Sequence, residues 1–327
     1  MEFFLPIQIP SFPFTISYTD KILFLGSCFS EEIGNKLYDL KFDILQNPNG
    51  ILYDPQSIAD AVFDYVNNKK YSEQELFELN GLWHSWKHHS QFSGVNKNDV
   101  LEKINQSQSR AHIFLKEAKI LIITLGAAYN YILKDKRQNV ANCHKAPSSF
   151  FEKNLLSTKE IIRHLIATCD TLHQFNGQLK IIFTISPVKH VKDGIVENNR
   201  SKARLIEAVH SIVEEKESAF YFPSYELVTD VLRDYRFYKD DLVHPNETAT
   251  SYVFHEFCNS LLTNQSKKIM EEITKILSAV NHKPFFKESE AYQRFIDLQL
   301  QNIENLESKY PFIDLSNEKK YFIGNKK

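Results

Sequence analysis

Short apolar runs rich in β-branched residues alternate with amphipathic stretches along most of the chain. This alternation is typical of a parallel β-sheet covered by helices, so the pattern predicts an α/β protein. The run that ends at Ile185 is almost wholly apolar, as expected for a central strand buried on both faces. The predicted strands are Lys21–Leu25, Ile120–Leu125, Leu179–Ile185 and Ala219–Phe222.

Between and after these strands, apolar residues recur at helical spacing. The predicted helices are Glu31–Leu40, a stretch opened by Pro55, Leu101–Glu117, Thr158–Leu172, Glu197–Glu215 and Glu247–Leu261. The region Tyr129–Pro147 fits neither pattern clearly and is predicted to be a hairpin or an irregular excursion.

The composition changes near Asn264, where charged helical stretches follow without any further strand. These stretches are Lys267–Leu277 and Glu288–Glu307. We therefore predict one α/β domain over residues 1–263 and a helical C-terminal extension over residues 264–327.

Charge and cysteine content narrow the class of protein. The 327 residues carry a formal net charge of -2, and acidic and basic residues are interspersed, which argues against nucleic acid or an anionic membrane as the main partner. The four cysteines form no CxxC pair, so neither a disulfide framework nor a zinc module is indicated. The apolar segment Met1–Phe14 has no basic n-region and is interrupted by prolines. We expect a cytoplasmic protein that needs no cofactor.

One cysteine directly follows a predicted strand. Gly26 ends the first apolar run, and Cys28 comes two residues later, where the next helix is about to begin. In an open α/β sheet, functional groups collect at such strand–helix junctions, and the positive end of a helix dipole favours a thiolate. The alternative is that Cys28 is a small buried hydrophobic residue, as many free cysteines are.

A second candidate group lies near the end of the α/β region. Asp241 precedes His244 by three residues, a spacing that allows the carboxylate to hold the imidazole through its Nδ1 hydrogen and to leave Nε2 free to accept a proton. The alternative is a surface pair that caps the following helix.

Several segments together resemble a known family. Gly-Ser-Cys-Phe-Ser at residues 26–30 is similar to the signature that names the GSCFA family, which is related to the SGNH/GDSL hydrolases, with Ser30 where the name has alanine. Further similar segments are residues 47–55, 83–86, 125–128, 142–145, 185–188 and 235–245. So many matches in the same order indicate a common fold over about residues 20–260.

The resemblance implies a flavodoxin-like three-layer α/β/α sandwich of the SGNH hydrolase type, and it assigns roles to the candidates. Cys28 takes the position of the family's nucleophilic serine, Asp241 orients the base, and His244 is the general base. The backbone N–H of Gly50, with that of Cys28, would face a developing oxyanion. Ser27 and Ser30 are alternative nucleophiles, of which Ser27 is the stronger because it adjoins the strand end.

One position departs from the family pattern. The third SGNH block should place an asparagine two residues after a glycine, but Gly126 is followed by Ala127 and Ala128. Another group must then supply the missing oxyanion donor. Asn142 is our candidate, with Asn130 and His144 as alternatives.

A histidine-rich segment also invites a functional interpretation. Trp83 and Trp86 are predicted to form a stacking wall for a sugar or acyl substrate, and His144 is predicted to lie near the pocket. A metal site built from His84, His88 and His144 is a weaker alternative, because no acidic partner lies close by in the sequence. We expect no bound metal.

These observations support two main hypotheses about function. In the first, the protein is an acyl-ester hydrolase or acyltransferase that acts on a small acyl ester or an O-acylated carbohydrate. In the second, it is a non-catalytic ligand-binding protein, for example a carbohydrate-binding one, that keeps the fold after losing the oxyanion asparagine. A partly open Cys28 within reach of His244 would favour catalysis, and a thiol sealed in apolar packing would favour binding.

Overall fold

A computed structural model describes residues 5–326 of the chain. Met1–Phe4 of the apolar N-terminal segment and Lys327 of the predicted extension lie outside the described residues. The strands are β1 (Ile22–Gly26), β2 (Ile44–Gln46), β3 (Leu76–Leu79), β4 (Leu82–Ser85), β5 (Ile120–Leu125), β6 (Tyr129–Leu133), β7 (Gln138–Val140), β8 (Phe151–Leu155), β9 (Lys180–Ile185) and β10 (Ala219–Tyr221).

Helices cover the sheet and form the C-terminal part. They are α1 (Cys28–Asp39), α2 (Pro55–Val66), α3 (Lys97–Glu117), α4 (Thr158–Phe175), α5 (Ile195–Glu215), α6 (Ser224–Glu226), α7 (Glu247–Leu261), α8 (Asn264–Asn281), α9 (Glu290–Lys309) and α10 (Ser316–Gly324). A π-helical segment, Leu227–Leu232, follows α6 directly. No helix within residues 5–326 is long and apolar enough to cross a membrane.

The main sheet has five parallel strands in the order β2-β1-β5-β9-β10. Counted along the chain, this is the 2-1-3-4-5 order of flavodoxin-like folds. In such folds the order reverses between the first and third sheet strands, and ligands bind at the carboxyl ends of the strands beside that point. Here the reversal lies between β1 and β5, so the topology itself places a site next to the loops that follow them.

Two hydrophobic clusters lie on opposite faces of the sheet. Alternate residues of β1 take part in different clusters: Phe24 packs with α1 and α7, and Leu23 packs with α2, α4 and α5. This alternation is what a strand buried on both faces requires. The predicted fold class, a flavodoxin-like three-layer α/β/α sandwich with a helical C-terminal extension, is confirmed.

The C-terminal helices pack on the same side of the sheet as α1. Apolar residues of α8, α9 and α10 belong to the cluster that also contains Leu37 of α1. The half-buried pair Lys41 and Glu318, whose Nζ and Oε1 atoms are 2.7 Å apart, joins the end of α1 to α10. The predicted boundary at residue 263 stays a proposal, because the packing is continuous across it.

The sequence pattern located most of these elements but left out β2, the β3–β4 hairpin and β8. β2 has only three residues and was not predicted. β3 and β4 pair as an antiparallel hairpin. The region predicted as a hairpin or an irregular excursion contains β6 and β7, which form a three-stranded antiparallel sheet with β8.

Candidate active site

The loop after β1 is held in an unusual backbone conformation. Gly26 has a φ of 130°, and a Cβ atom at this residue would lie 2.1 Å from the carbonyl oxygen of Thr124 in the neighbouring strand. Only glycine fits such a position without strain. The Gly26 amide donates to the side chain of Asn47 at 2.9 Å, which fixes the turn that leads into α1.

Cys28 is the first residue of α1, and its side chain is partly exposed. Burial raises the pKa of the Cys28 thiol, and the carboxylates of Glu31 and Glu32 raise it further. Hydrogen bonds from the amides of Cys28 and Phe29 oppose this rise. The expectation that the helix N-terminus alone favours a thiolate therefore fails, because burial and two nearby negative charges outweigh the helix amides.

The two alternative nucleophiles have no access to solvent. Ser27 and Ser30 are each 1% exposed, and their hydroxyl oxygens are buried without a hydrogen-bond partner in the described part of the chain. An acyl substrate could reach neither hydroxyl without displacing core residues. Of the three candidate nucleophiles, Cys28 is the one that solvent reaches.

Asp241 and His244 form the pair that the sequence predicts. Nδ1 of His244 lies 2.7 Å from Oδ2 of Asp241, and the amides of Val243 and His244 donate to Oδ1 at 2.9 and 3.0 Å. These hydrogen bonds hold the pKa of the Asp241 carboxyl at about 2, well below its usual range. The imidazole is thus held through Nδ1, which leaves Nε2 as the nitrogen that can exchange a proton with a reacting group.

The loop that carries His244 borders the first turns of α1. The Lys239 amide donates to the His244 carbonyl at 2.7 Å, and Nζ of the same lysine lies 3.4 Å from Oε1 of Glu32 in α1. The Lys189 amide, from the segment after β9, donates to the Val243 carbonyl at 3.2 Å. The structure therefore brings the Cys28 and His244 loops to the same edge of the sheet. No hydrogen bond joins the thiol to the imidazole anywhere in residues 5–326.

The predicted oxyanion role of the Gly50 amide is not supported. This amide donates to the Asn47 carbonyl at 2.6 Å and closes a tight turn, so it already has a partner. Gly50 adopts a φ of 75°, and a Cβ at this residue would lie 2.2 Å from the Cβ of His89. Glycine is therefore required here for the turn and for close packing.

Ala128, whose side chain is a buried methyl group, occupies the position where the family pattern would place an asparagine. Ala128 is fully buried in the apolar cluster beneath the sheet, and its amide donates to Oγ of Ser201 at 2.7 Å. Of the two asparagine candidates, Asn130 has its side-chain N–H group engaged, whereas that of Asn142 has no partner in residues 5–326, and no contact of Asn142 within those residues is with the Cys28 loop. The Asn142 oxygen accepts from the His144 amide at 2.8 Å, and the Asn130 amide group donates to Gln56 at 2.7 Å.

Of the two residues of the predicted tryptophan wall, Trp86 is buried in the protein interior and Trp83 is partly exposed. Trp86 is 8% exposed and stacks on Phe77 with ring centroids 3.6 Å apart. Trp83 packs against a small apolar cluster, and the Lys97 ammonium lies 4.8 Å from its ring centroid. Trp86 therefore cannot stack on a substrate without unpacking the β3–β4 hairpin, because its face is already covered.

The histidines of the same region are held by local hydrogen bonds. His84 bonds to Oγ of Ser93 at 2.6 Å, and His144 bonds to the Ser85 carbonyl at 2.8 Å. Burial lowers the pKa of His88 to about 3 and that of His144 to about 4, so both rings are neutral at physiological pH. Within residues 5–326 no group of three or more ligating side chains is arranged to hold a metal ion.

A buried lysine near Cys28 was missed in the sequence. Lys202 of α5 is 1% exposed, and its Nζ donates to the carbonyls of Gly126 at 2.7 Å and Ser186 at 2.6 Å. It thereby joins the ends of β5 and β9. The signal was available, because Lys202 lies three residues before Leu205 on the buried stripe of α5.

Burial lowers the pKa of Lys202 to about 7, from 10.5, although a charge on Cys28 acts in the opposite direction. Between these values the folded protein holds the lysine neutral while the unfolded chain binds a proton. The free energy of unfolding must therefore rise with pH across this window, by about 1.4 kcal/mol per pH unit.

We predict that Lys202→Met removes this rise of the free energy of unfolding with pH. Urea unfolding of both proteins from pH 7 to 10 measures it, and Lys275→Met, at an exposed position of α8, is the control. Parallel stability curves for wild type and Lys202→Met would contradict the prediction.

The comparison with protein-family models agrees with the resemblance to the GSCFA family drawn from the sequence. No curated protein matches the chain. A crystal structure of a carbohydrate esterase family 3 from Talaromyces cellulolyticus is similar at 9% identity with a TM-score of 0.35, over 79% of this chain and 99% of that one. The model of the GSCFA family matches residues 21–257, and that of the GSCFA domain protein, C-terminal domain, matches residues 273–323. Since the first match spans well over half of the sequence, the chain belongs to the GSCFA family.

Proposed function

We propose that the protein is an acyl-ester hydrolase or acyltransferase in which Cys28, His244 and Asp241 form the catalytic triad. The observation that carries the proposal is the Asp241 carboxylate, which accepts hydrogen bonds from the imidazole and two amides on a loop beside the helix that starts at Cys28. A carboxylate fixed in this way holds one tautomer of the base and stabilises the imidazolium that forms during proton transfer. The alternative that the pair caps the following helix is not met, because Asn246 is the N-cap of α7 and its side chain accepts from the Ala249 amide.

The reaction proceeds in two balanced stages. The Cys28 sulfur attacks the acyl carbon while its proton passes to Nε2 of His244, and the carbonyl oxygen becomes an oxyanion. The C–O bond of the ester then breaks, the alcohol leaves with the proton from His244, and a thioester remains on Cys28. Water, or an acceptor alcohol in a transferase, attacks the thioester with His244 again accepting a proton. The C–S bond then breaks, the carboxylic acid or the new ester is released, and the proton on His244 returns to the sulfur.

The protonation state of the Cys28 thiol determines how His244 acts as a base. Because burial and the carboxylates of Glu31 and Glu32 raise the pKa of Cys28, the thiol is largely protonated at neutral pH. A preformed thiolate is therefore not the resting nucleophile. His244 must accept the proton as attack occurs, so the mechanism resembles that of a serine hydrolase more than that of a cysteine protease with a stable ion pair.

The substrate is proposed to be a small acyl ester, such as an O-acylated carbohydrate. This choice rests on the family resemblance and is a proposal about substrate class only. Chromogenic esters of acetate, butyrate and octanoate, followed by acetylated sugars, would define the acyl and alcohol parts.

The test is to capture the thioester. After rapid mixing with a chromogenic acetyl ester and an acid quench, we expect one acetyl group per chain by intact mass, on the peptide that contains Cys28, and its removal by neutral hydroxylamine. Cys143 is the internal control, because it is also partly exposed but lies outside the proposed triad. Acetylation confined to other residues, or none at all, would rule the mechanism out.

A second candidate function is ligand binding without catalysis. Two observations favour it: no direct hydrogen bond joins Cys28 to His244 within the described residues, and the third-block asparagine is replaced by the buried Ala128. A binding protein would retain acetylated sugars in equilibrium dialysis and leave them intact. The thioester experiment separates the two functions, because binding alone forms no covalent product.

A further inference from the structure

The proposed reaction has a shortage of oxyanion donors. Acyl transfer needs preorganised hydrogen-bond donors where the carbonyl oxygen gains negative charge. The amide of Gly50 is engaged by Asn47 at 2.6 Å, and Ala128 stands where an asparagine would be. The Cys28 amide at the start of α1 remains, so at least one more donor is needed near the thiol.

Tyr53 lies at the point where the strand order of the sheet reverses. The Leu52 amide donates to the Gly26 carbonyl at 3.0 Å, and the amides of Gly126 and Ala127 donate to the Tyr53 carbonyl at 2.8 and 3.0 Å. These bonds fix the Tyr53 backbone between the ends of β1 and β5. This is where the topology places a ligand site.

The Tyr53 ring lies against the start of the Cys28 loop. Its Cδ1 atom is 2.9 Å from the point where a Cβ on Gly126 would lie, and the Cβ of Ser27 is 3.4 Å from that same point. Glycine at position 126 therefore makes room for the ring beside the residue that precedes Cys28. Tyr53 is 42% exposed, and its hydroxyl has no hydrogen-bond partner in the described chain.

The electrostatic environment keeps the phenol in its donor form. Burial raises the pKa of Tyr53 to about 12, and charges on Cys28 and Glu31 add to this rise. The hydroxyl is thus protonated at physiological pH, and it is carried by a ring that lies beside the residue preceding Cys28. A protonated phenol in such a place donates a hydrogen bond readily to a neighbouring anion.

Lys202 is a second side chain near Cys28 that could donate. It is 1% exposed, and its Nζ is already bonded to the Gly126 and Ser186 carbonyls. These contacts direct it toward the main chain behind the site.

We propose that the Tyr53 hydroxyl donates a hydrogen bond to the acyl oxygen as Cys28 attacks, in place of the third-block asparagine. The inference rests on the proposed function and makes Tyr53 a catalytic residue of that reaction. It also explains why residue 126 is glycine, because a side chain there would exclude the aromatic ring of Tyr53.

The experiment compares acylation with alkylation of the same thiol in Tyr53→Phe. Attack on an acetyl ester creates an oxyanion, whereas displacement of iodide from iodoacetamide occurs at a saturated carbon and creates none. We expect the acylation rate of Cys28 to fall by roughly 10²-fold, with KM little changed, while the alkylation rate stays at the wild-type value. Tyr38→Phe, at an exposed tyrosine near the other end of α1, is the matched control and should change neither rate.

Each other outcome overturns the proposal in a recognisable way. Equal acylation rates in wild type and Tyr53→Phe would show that the phenol is not a donor, with the triad left intact. A parallel fall in both rates would mean that Tyr53 acts on the thiol and not on the oxyanion. A wild-type protein that is alkylated at Cys28 but never acylated would remove the proposed function together with this inference.

Discussion

Cys28→Ala is expected to abolish acyl-ester turnover. Without the sulfur no thioester can form, and the remaining groups can only orient a water molecule, so kcat should fall by about 10³-fold or more. Initial rates with a chromogenic acetyl ester measure the effect. Thermal unfolding of the same variant checks the fold, which should persist because the side chain is small and partly exposed.

Cys143→Ala is the control for this experiment. Cys143 is also partly exposed, but burial raises the pKa of its thiol to about 11, and the mechanism does not use it. Its loss should leave turnover at the wild-type rate. Wild-type turnover in Cys28→Ala would exclude Cys28 as the nucleophile.

His244→Ala is expected to lower acyl-ester turnover nearly as much as Cys28→Ala. Since the thiol is mostly protonated at neutral pH, removing its base should lower kcat by about 10³-fold. About 42% of the His244 side chain is exposed, so the space it leaves is open to small molecules. Added imidazole should therefore restore part of the activity, which a purely structural role would not predict.

The matched control for this variant is His255→Ala, at an exposed position of α7. It should change neither the rate nor the response to imidazole. If His244→Ala keeps full activity, or if imidazole raises the rates of both variants equally, His244 is not the base.

The fold was predictable where the signal is local and long. Strands such as β5 and β9 are continuous apolar runs, and α5 has a regular buried stripe. β2 was missed because a strand of only three residues shows no periodicity. The order of the strands depends on contacts between distant segments, which a pattern along the chain does not contain.

The same distinction between local and distant contacts applies to the candidate site. The contact between Asp241 and His244 spans three residues, so the sequence could predict it. The turn that uses the Gly50 amide is also local, and its Asn-Pro-Asn-Gly sequence is typical of a β-turn closed by a hydrogen bond between its first and fourth residues. This local pattern indicates that the Gly50 amide is engaged in the turn, whereas the family resemblance assigns it to the oxyanion.

The remaining errors concern packing between distant segments. Trp86 is covered because the β3–β4 hairpin packs against Val140 and Phe151 of the three-stranded sheet. The Tyr53 ring lies beside the start of the Cys28 loop because the segment after β2 crosses the ends of β1 and β5. Neither arrangement can be inferred from residue spacing, since each depends on how separate sheets and loops meet in space.

The packing of the last three helices connects the C-terminal part of the chain to α1. Apolar residues of α8, α9 and α10 belong to one cluster with those of α1 and with Tyr18 and Phe42, and α1 begins at Cys28. A shortened protein that stops near residue 263 would expose the apolar residues of this cluster to water and would tend to self-associate. An activity assay on such a fragment would then be affected by its self-association, so activity is best measured on the chain of 327 residues.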